Sequence, residues 1–221
     1  MKTFSTIFIA LILFACSSEN RQTEQKPEPQ KEIEVVGTKK KTIVFFGNSL
    51  TAGYGLDISE AFPARIQELI DSLGLEYEVI NAGLSGETTA SGNSRIDWVL
   101  KNSVSVFVLE LGANDGLRGI PTHETRKNLQ EIIDKVIAKY PSARIVLAGM
   151  QVPPNMGEEY SNDFRSIFPE IAEKNEAAFI PFLLENVAGE PDLNLADGIH
   201  PTAYGHQLVA QNVWSVLKEV L

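Results

Sequence analysis

From Thr42 onward, short apolar runs alternate with stretches in which apolar residues recur every three or four positions, the pattern of strand and helix in turn. Thr42–Phe46 (TIVFF), Tyr77–Ile80 (YEVI), Val104–Leu111 (VSVFVLEL), Ile145–Ala148 (IVLA) and Ala178–Ile180 (AFI) read as strands. The third is apolar at nearly every position, as a strand covered on both faces of a parallel sheet must be. Between the strands, Phe62, Ile66, Leu69, Ile70 and Leu73 share one helical face, with Ser59 as a candidate N-cap and Gly74 as a stop. Leu129, Ile132, Ile133, Val136, Ile137 and Tyr140 form a second stripe, ended by Pro141. Further helices are expected over Thr89–Leu100, Tyr160–Lys174 and Ala203–Leu221. The order predicts a three-layer α/β/α sandwich around a mainly parallel five-stranded sheet, a fold class that places its chemistry beyond the carboxyl ends of the strands.

The first 41 residues follow a different rule. Lys2 precedes the apolar run Phe4–Phe14, too short to span a bilayer but the right size for the apolar region of a secretory signal. The run ends in Leu13-Phe14-Ala15-Cys16, which resembles the lipobox of bacterial lipoproteins, so residues 1–15 are expected to be a signal peptide and Cys16 the lipidated residue. Cys16 is the single cysteine of the chain, which rules out a disulfide within a monomer. Residues 16–41 are polar and mixed in charge, contain Pro27 and Pro29, and hold too little apolar surface to offset the entropy of ordering. They read as a tether, leaving residues 42–221 as the folded domain in the bacterial cell envelope, held to a membrane by its lipid.

Charge narrows the partners. The chain carries 19 basic and 29 acidic residues, of which seven and five fall in the first 41, so the domain holds 12 against 24 and a net charge near −12. Nucleic-acid binding needs a basic face that displaces counterions, and none is available. A monomer acting on a small molecule is expected.

Candidate chemistry gathers at the strand ends. Ser49 follows the first strand in Gly47-Asn48-Ser49-Leu50, where a glycine and an asparagine turn the chain; a serine there could equally cap a short helix. A serine nucleophile needs a base, and the sequence offers three histidines. His200 lies in Asp197-Gly198-Ile199-His200-Pro201 with a carboxylate three residues upstream, whereas His123 opens an exposed amphipathic helix and His206 sits inside the last helix without polar company. Donors for a developing oxyanion could come from Asn81-Ala82-Gly83 after the second strand and from Gly112-Ala113-Asn114-Asp115-Gly116 after the third. Both are also ordinary turn sequences, and neither decides alone.

Together, serine, glycine, asparagine and histidine fall in an order that resembles the SGNH hydrolases, also called the GDSL family, from about Thr42 to Leu221. The segments Asn81–Thr88 (NAGLSGET), Glu110–Pro121 (ELGANDGLRGIP) and Asp197–Pro201 (DGIHP) are similar to the thioesterase, arylesterase and lysophospholipase group of that family. The resemblance implies a flavodoxin-like fold and a carboxylic ester or thioester hydrolase that needs no metal and no cofactor. It makes Ser49 the nucleophile, His200 the base and Asp197 its orienting partner. It builds the oxyanion hole from the Ser49 amide, the Gly83 amide and the Asn114 side chain, and puts Gly116 and Leu117 in a loop that borders substrate. One position departs: the family's Gly-Asp-Ser-Leu is here Gly-Asn-Ser-Leu. Asparagine keeps the shape and one acceptor but exchanges a charge for an amide, so activity is expected to survive with altered local hydrogen bonding. Two rivals stay open: a carbohydrate acetylesterase using the same triad, and an inactive lipid- or glycan-binding lipoprotein.

Overall fold

The computed structural model describes residues 40–101 and 103–221. Five parallel strands form one sheet: β1 (Lys41–Gly47), β2 (Tyr77–Gly83), β3 (Val106–Glu110), β4 (Arg144–Ala148) and β5 (Ala178–Ile180), in the spatial order β2-β1-β3-β4-β5. The helices are α1 (Ser49–Ala52), α2 (Phe62–Ser72), α3 (Thr89–Val99), α4 (Ala113–Leu117), α5 (Thr122–Lys139), α6 (Glu158–Lys174) and α7 (Ala203–Leu217). Five of them pack in two groups, α2 with α7 and α3 with α5 and α6. The apolar runs of β1 and β3 are buried along nearly their whole length between these layers, with Phe45 edge-on to Phe62 and Phe46 against Phe107. The expected α/β/α architecture is the one observed.

Differences at the element ends have local causes. Strand β2 runs on through Asn81 to Gly83, three residues past the apolar stretch, because Phe45, Phe46 and Gly47 pair with Asn81, Ala82 and Gly83. The ladder with a buried neighbour outweighs the weak strand preference of those residues. Ser59 does not cap α2. It lies in a single 3₁₀ turn, Ile58–Glu60, whose cap is Asp57, while α2 starts after Ala61 with Pro63 in its first turn. The last helix tightens to 3₁₀ geometry at Lys218–Val220.

Strand β1 takes in Lys41, which the sequence pattern assigns to the tether. The expected signal peptide, Cys16 and the expected tether as far as residue 39 lie outside the described residues. Among the described residues, no helix is long and apolar enough to cross a membrane.

Candidate active site

The strand order reverses at β1, whose two neighbours β2 and β3 are reached by connections running in opposite directions. In an open parallel sheet this divergence leaves a crevice outside the carboxyl ends of the strands. Gly47 at the end of β1 is in register with Gly83 on one side and Glu110 on the other. The three chemistry-bearing segments therefore begin side by side.

The nucleophile turn is buried and heavily tied. Asn48 and Ser49 are 1% and 8% exposed. The Asn48 carbonyl oxygen of the side chain accepts from the Leu50 amide at 2.9 Å, capping α1, and lies 3.4 Å from Ser49 Oγ. Beneath the turn stands Glu110, 1% exposed. Its Oε1 accepts from Asn48 Nδ2 at 2.6 Å, and its Oε2 accepts from the Asn48 amide at 3.0 Å and from Thr51 Oγ1 at 2.7 Å. Burial pushes the Glu110 carboxyl up to about 7, and the hydrogen bonds from Thr51 and Asn48 offset part of that rise. Gly47 leaves the room this cluster needs: a Cβ there would stand 2.2 Å from Thr51 Oγ1 and 2.7 Å from the Glu110 carbonyl.

The histidine arrives on a short loop between Asn194 and Pro201, residues that pair as an isolated antiparallel bridge. The Leu195 amide donates to the His200 carbonyl at 2.7 Å, and Thr202 then caps α7 through the Gly205 amide. Within the loop Asp197 Oδ1 accepts from the amides of Ile199 and His200, and Oδ2 meets His200 Nδ1 at 2.7 Å. These contacts, led by the His200 amide, hold the Asp197 carboxyl down at about 2. An ionised carboxylate only accepts, so Nδ1 carries the imidazole proton and Nε2 is free to accept. Nε2 lies 2.9 Å from Ser49 Oγ, across 151 residues of sequence, and the ring of Tyr54 packs on the His200 ring with centroids 4.4 Å apart. Ser49, His200 and Asp197 are thus one hydrogen-bonded chain, in the geometry by which a histidine takes a serine proton while a carboxylate stabilises the resulting imidazolium.

An acyl-transfer site also needs donors facing the developing oxyanion. Asn114, on α4 just after β3, donates through Nδ2 to the Glu87 carbonyl at 3.0 Å, which fixes its amide and leaves a second N–H. Asp115 beside it is buried and accepts from the Thr89 amide and from the hydroxyls of Thr89 and Thr125, anchoring α4 to α3 and α5. The expected Gly83 amide needs correction: it donates to Asn81 Oδ1 at 3.0 Å, and a Cβ on Gly83 would collide with the Ala52 backbone, so this glycine serves strand–helix packing. In the same segment Gly86, at φ 80°, has an amide with no partner among the described residues, and its carbonyl is held by Arg118. Glu87, its neighbour, is buried in a bidentate pair with Arg95, and its carbonyl is the one that holds Asn114.

The remaining sequence candidates separate clearly. Leu117 is 43% exposed, whereas Gly116 is buried against Val152 and Phe164, so of the two only Leu117 presents a side chain to solvent. His123 is exposed beside Glu124. His206 is 1% exposed and accepts the Phe62 amide at Nδ1, and burial, with a smaller electrostatic influence from its neighbours, lowers it to about 4. Sequence reasoning missed Glu110. Its signal was present: a single carboxylate in a strand otherwise apolar enough to be covered on both faces.

Known proteins match the chain over the domain that carries this site. The model of the GDSL-like lipase/acylhydrolase family matches residues 45–208. The chain is 36% identical over 182 residues to the esterase TesA of Pseudomonas aeruginosa, covering 82% of this chain and 90% of the other. It is 35% identical over 170 residues to the thioesterase 1/protease 1/lysophospholipase L1 of Escherichia coli, covering 76% and 79%. Among solved structures, the psychrotrophic esterase EstA from Pseudoalteromonas sp., inhibited by monoethylphosphonate, superimposes with a TM-score of 0.77 at 33% identity, covering 81% of this chain and 98% of that one.

Proposed function

Because this chain belongs to the GDSL-like lipase/acylhydrolase family, we propose that it hydrolyses carboxylic esters and thioesters through an acyl-enzyme on Ser49. The observation that carries the reading is the continuous chain from Ser49 Oγ through His200 to Asp197. His200 Nε2 takes the Ser49 proton as Oγ adds to the carbonyl carbon, and the carbonyl electron pair moves onto oxygen. Collapse expels the alcohol or thiol, which leaves with the proton from His200. Water then adds to the acyl-enzyme, giving its proton to the same nitrogen, and the acid departs as Ser49 recovers its hydrogen.

The oxyanion hole in this reading is the Ser49 amide, an orphan donor of the first turn of α1, with the free Asn114 N–H and the Gly86 amide in place of that of Gly83. One such side-chain donor is worth about 3 kcal/mol in the transition state. The exposed apolar side chains Tyr54, Leu84, Leu117 and Ile199 all belong to the segments that carry the site, which suits an acyl or aryl substrate better than a glycan. Asn48, the feature that favours an inactive binding module, here caps the helix that carries Ser49 while the triad stays assembled.

The membrane reading belongs to the proposal as well. Lys2, the apolar run Phe4–Phe14 and Cys16 support export, lipidation and a place in the bacterial cell envelope, tethered by residues 17–40. Metabolic labelling with an alkynyl fatty acid, lost in Cys16→Ser, tests that part by itself. The catalytic part is tested on a chromogenic short-acyl ester. Ser49→Ala is expected to lower kcat by about 10⁴-fold or more while keeping the thermal midpoint, and substantial residual turnover would defeat the assignment.

A further inference from the structure

The carboxylate of Glu110 takes no part in the steps above, yet it is buried directly under the nucleophile, and no cation neutralises it among the described residues. The titratable groups of the surrounding elements are engaged elsewhere: His200 with Asp197 and Ser49, Glu87 with Arg95, Asp115 with Thr89 and Thr125. A buried carboxylate without a counter-ion is costly and persists only where donors satisfy it. The donors come from residues flanking Ser49, among them the Asn48 amide, Asn48 Nδ2 and Thr51 Oγ1.

The Asn48 side chain joins the two halves of this arrangement. Its nitrogen is committed to Glu110 and its oxygen to the Leu50 amide, with Ser49 Oγ 3.4 Å from that oxygen. The amide cannot rotate to exchange its ends without placing N–H against N–H at Leu50 and oxygen against carboxylate at Glu110. We propose that Glu110 and Asn48 are a positioning pair that sets the Ser49 hydroxyl against His200, with Glu110 supplying the one carboxylate of the pair and Asn48 the matching donor. The family's aspartate at position 48 would face Glu110 as a second carboxylate and would need a shared proton to keep the same contact. Asparagine keeps the contact without that proton. This inference rests on Ser49 being the nucleophile.

The pair predicts which single atom matters. In Glu110→Gln the side-chain oxygen can still accept from the Asn48 amide and Thr51, but an NH₂ replaces Oε1 and meets Asn48 Nδ2 donor to donor. In Asn48→Asp/Glu110→Gln the same NH₂ meets a carboxylate oxygen, so the contact returns with its polarity reversed. The experiment is the four-member cycle of wild type, Asn48→Asp, Glu110→Gln and the double variant in the full chain. Each is measured for kcat and KM on p-nitrophenyl butyrate and for its rate of covalent labelling by a p-nitrophenyl alkylphosphonate.

Glu110→Gln is expected to lower kcat and the labelling rate together by about 30-fold with KM changed less than about threefold, and the double variant to recover at least about tenfold of that loss. A double variant no faster than Glu110→Gln, or losses that simply multiply, overturns the pair. If Glu110→Gln does not fold, the outcome rests on the double variant, whose folding and labelling at a rate near that of Asn48→Asp carries the proposal and whose failure ends it. Labelling of wild type at a residue other than Ser49 would instead defeat the nucleophile assignment, a result separable from any outcome of the cycle.

Discussion

The two halves of the triad are held by opposite means. Ser49 sits on a buried turn, flanked by the fully enclosed Glu110 and fixed by contacts that span 62 residues of sequence, with a glycine at its base because nothing larger fits. His200 and Asp197 sit on an exposed loop, their side chains 18% and 38% exposed, and are fixed by contacts that span two or three residues. The first half is placed by tertiary packing, the second by a local turn in which one aspartate accepts from two amides and the imidazole. Changes to the packing beneath the Ser49 turn should therefore move rate and stability together, whereas changes at the base end should move rate alone.

The largest effect that sharpens this contrast is expected from Asp197→Asn. An asparagine cannot accept from the imidazole and both amides with one oxygen, and its NH₂ favours the wrong tautomer of His200. The expected loss in kcat is about 10³-fold or more, while the thermal midpoint measured by calorimetry stays close to that of wild type because the group is exposed. A large fall in the midpoint would show the loop to be structural and end the contrast. Next comes Gly47→Ala, whose methyl group would press on Thr51, Glu110 and a backbone carbonyl. It is expected to cost about 2 kcal/mol in denaturant unfolding and to slow phosphonate labelling at the same time. Wild-type stability with a slowed nucleophile would break the predicted coupling.

The smallest effect concerns pH. His206 is neutral in the fold, lowered to about 4 from an ordinary value near 6.5, so the unfolded chain binds a proton that the native state refuses. Its contribution to stability is complete above about 6.5 and is lost as pH falls toward 4. Glu110 acts with the opposite sign: raised to about 7 from 4.5, it keeps a proton that the unfolded chain releases, so its contribution falls as pH rises through that window. His206→Asn, which can still accept the Phe62 amide but gives up the ring packing on Phe62, should lower stability at neutral pH and be less sensitive to acid than wild type in pH-dependent thermal melts. An unchanged acid limb would remove His206 from the account.

The same division explains what could be read in the sequence. The loop of Asp197 and His200 was legible because its contacts are local: a carboxylate three residues before a histidine, ahead of a helix, says most of what the loop does. The strands were legible from their apolar runs, and with them the sheet that places Ser49 and Asn114 at neighbouring strand ends. Glu110 was not singled out, since its role depends on the register of β3 with β1, which no periodicity prints. Gly83 was misassigned for a related reason. A glycine after a strand looks like a bare amide for a ligand, but β2 continues through it, Ala52 occupies the space its missing side chain leaves, and Asn81 takes its amide.

The bridge between Asn194 and Pro201 has one more consequence. Asp197 and His200 occupy a single small ring of chain, closed at its neck and resting on Tyr54, so any displacement of the ring moves both groups together. Their mutual alignment depends on contacts within the ring and not on the serine. The dyad is thus held as one unit by its own loop, independently of the sheet contacts that fix the nucleophile.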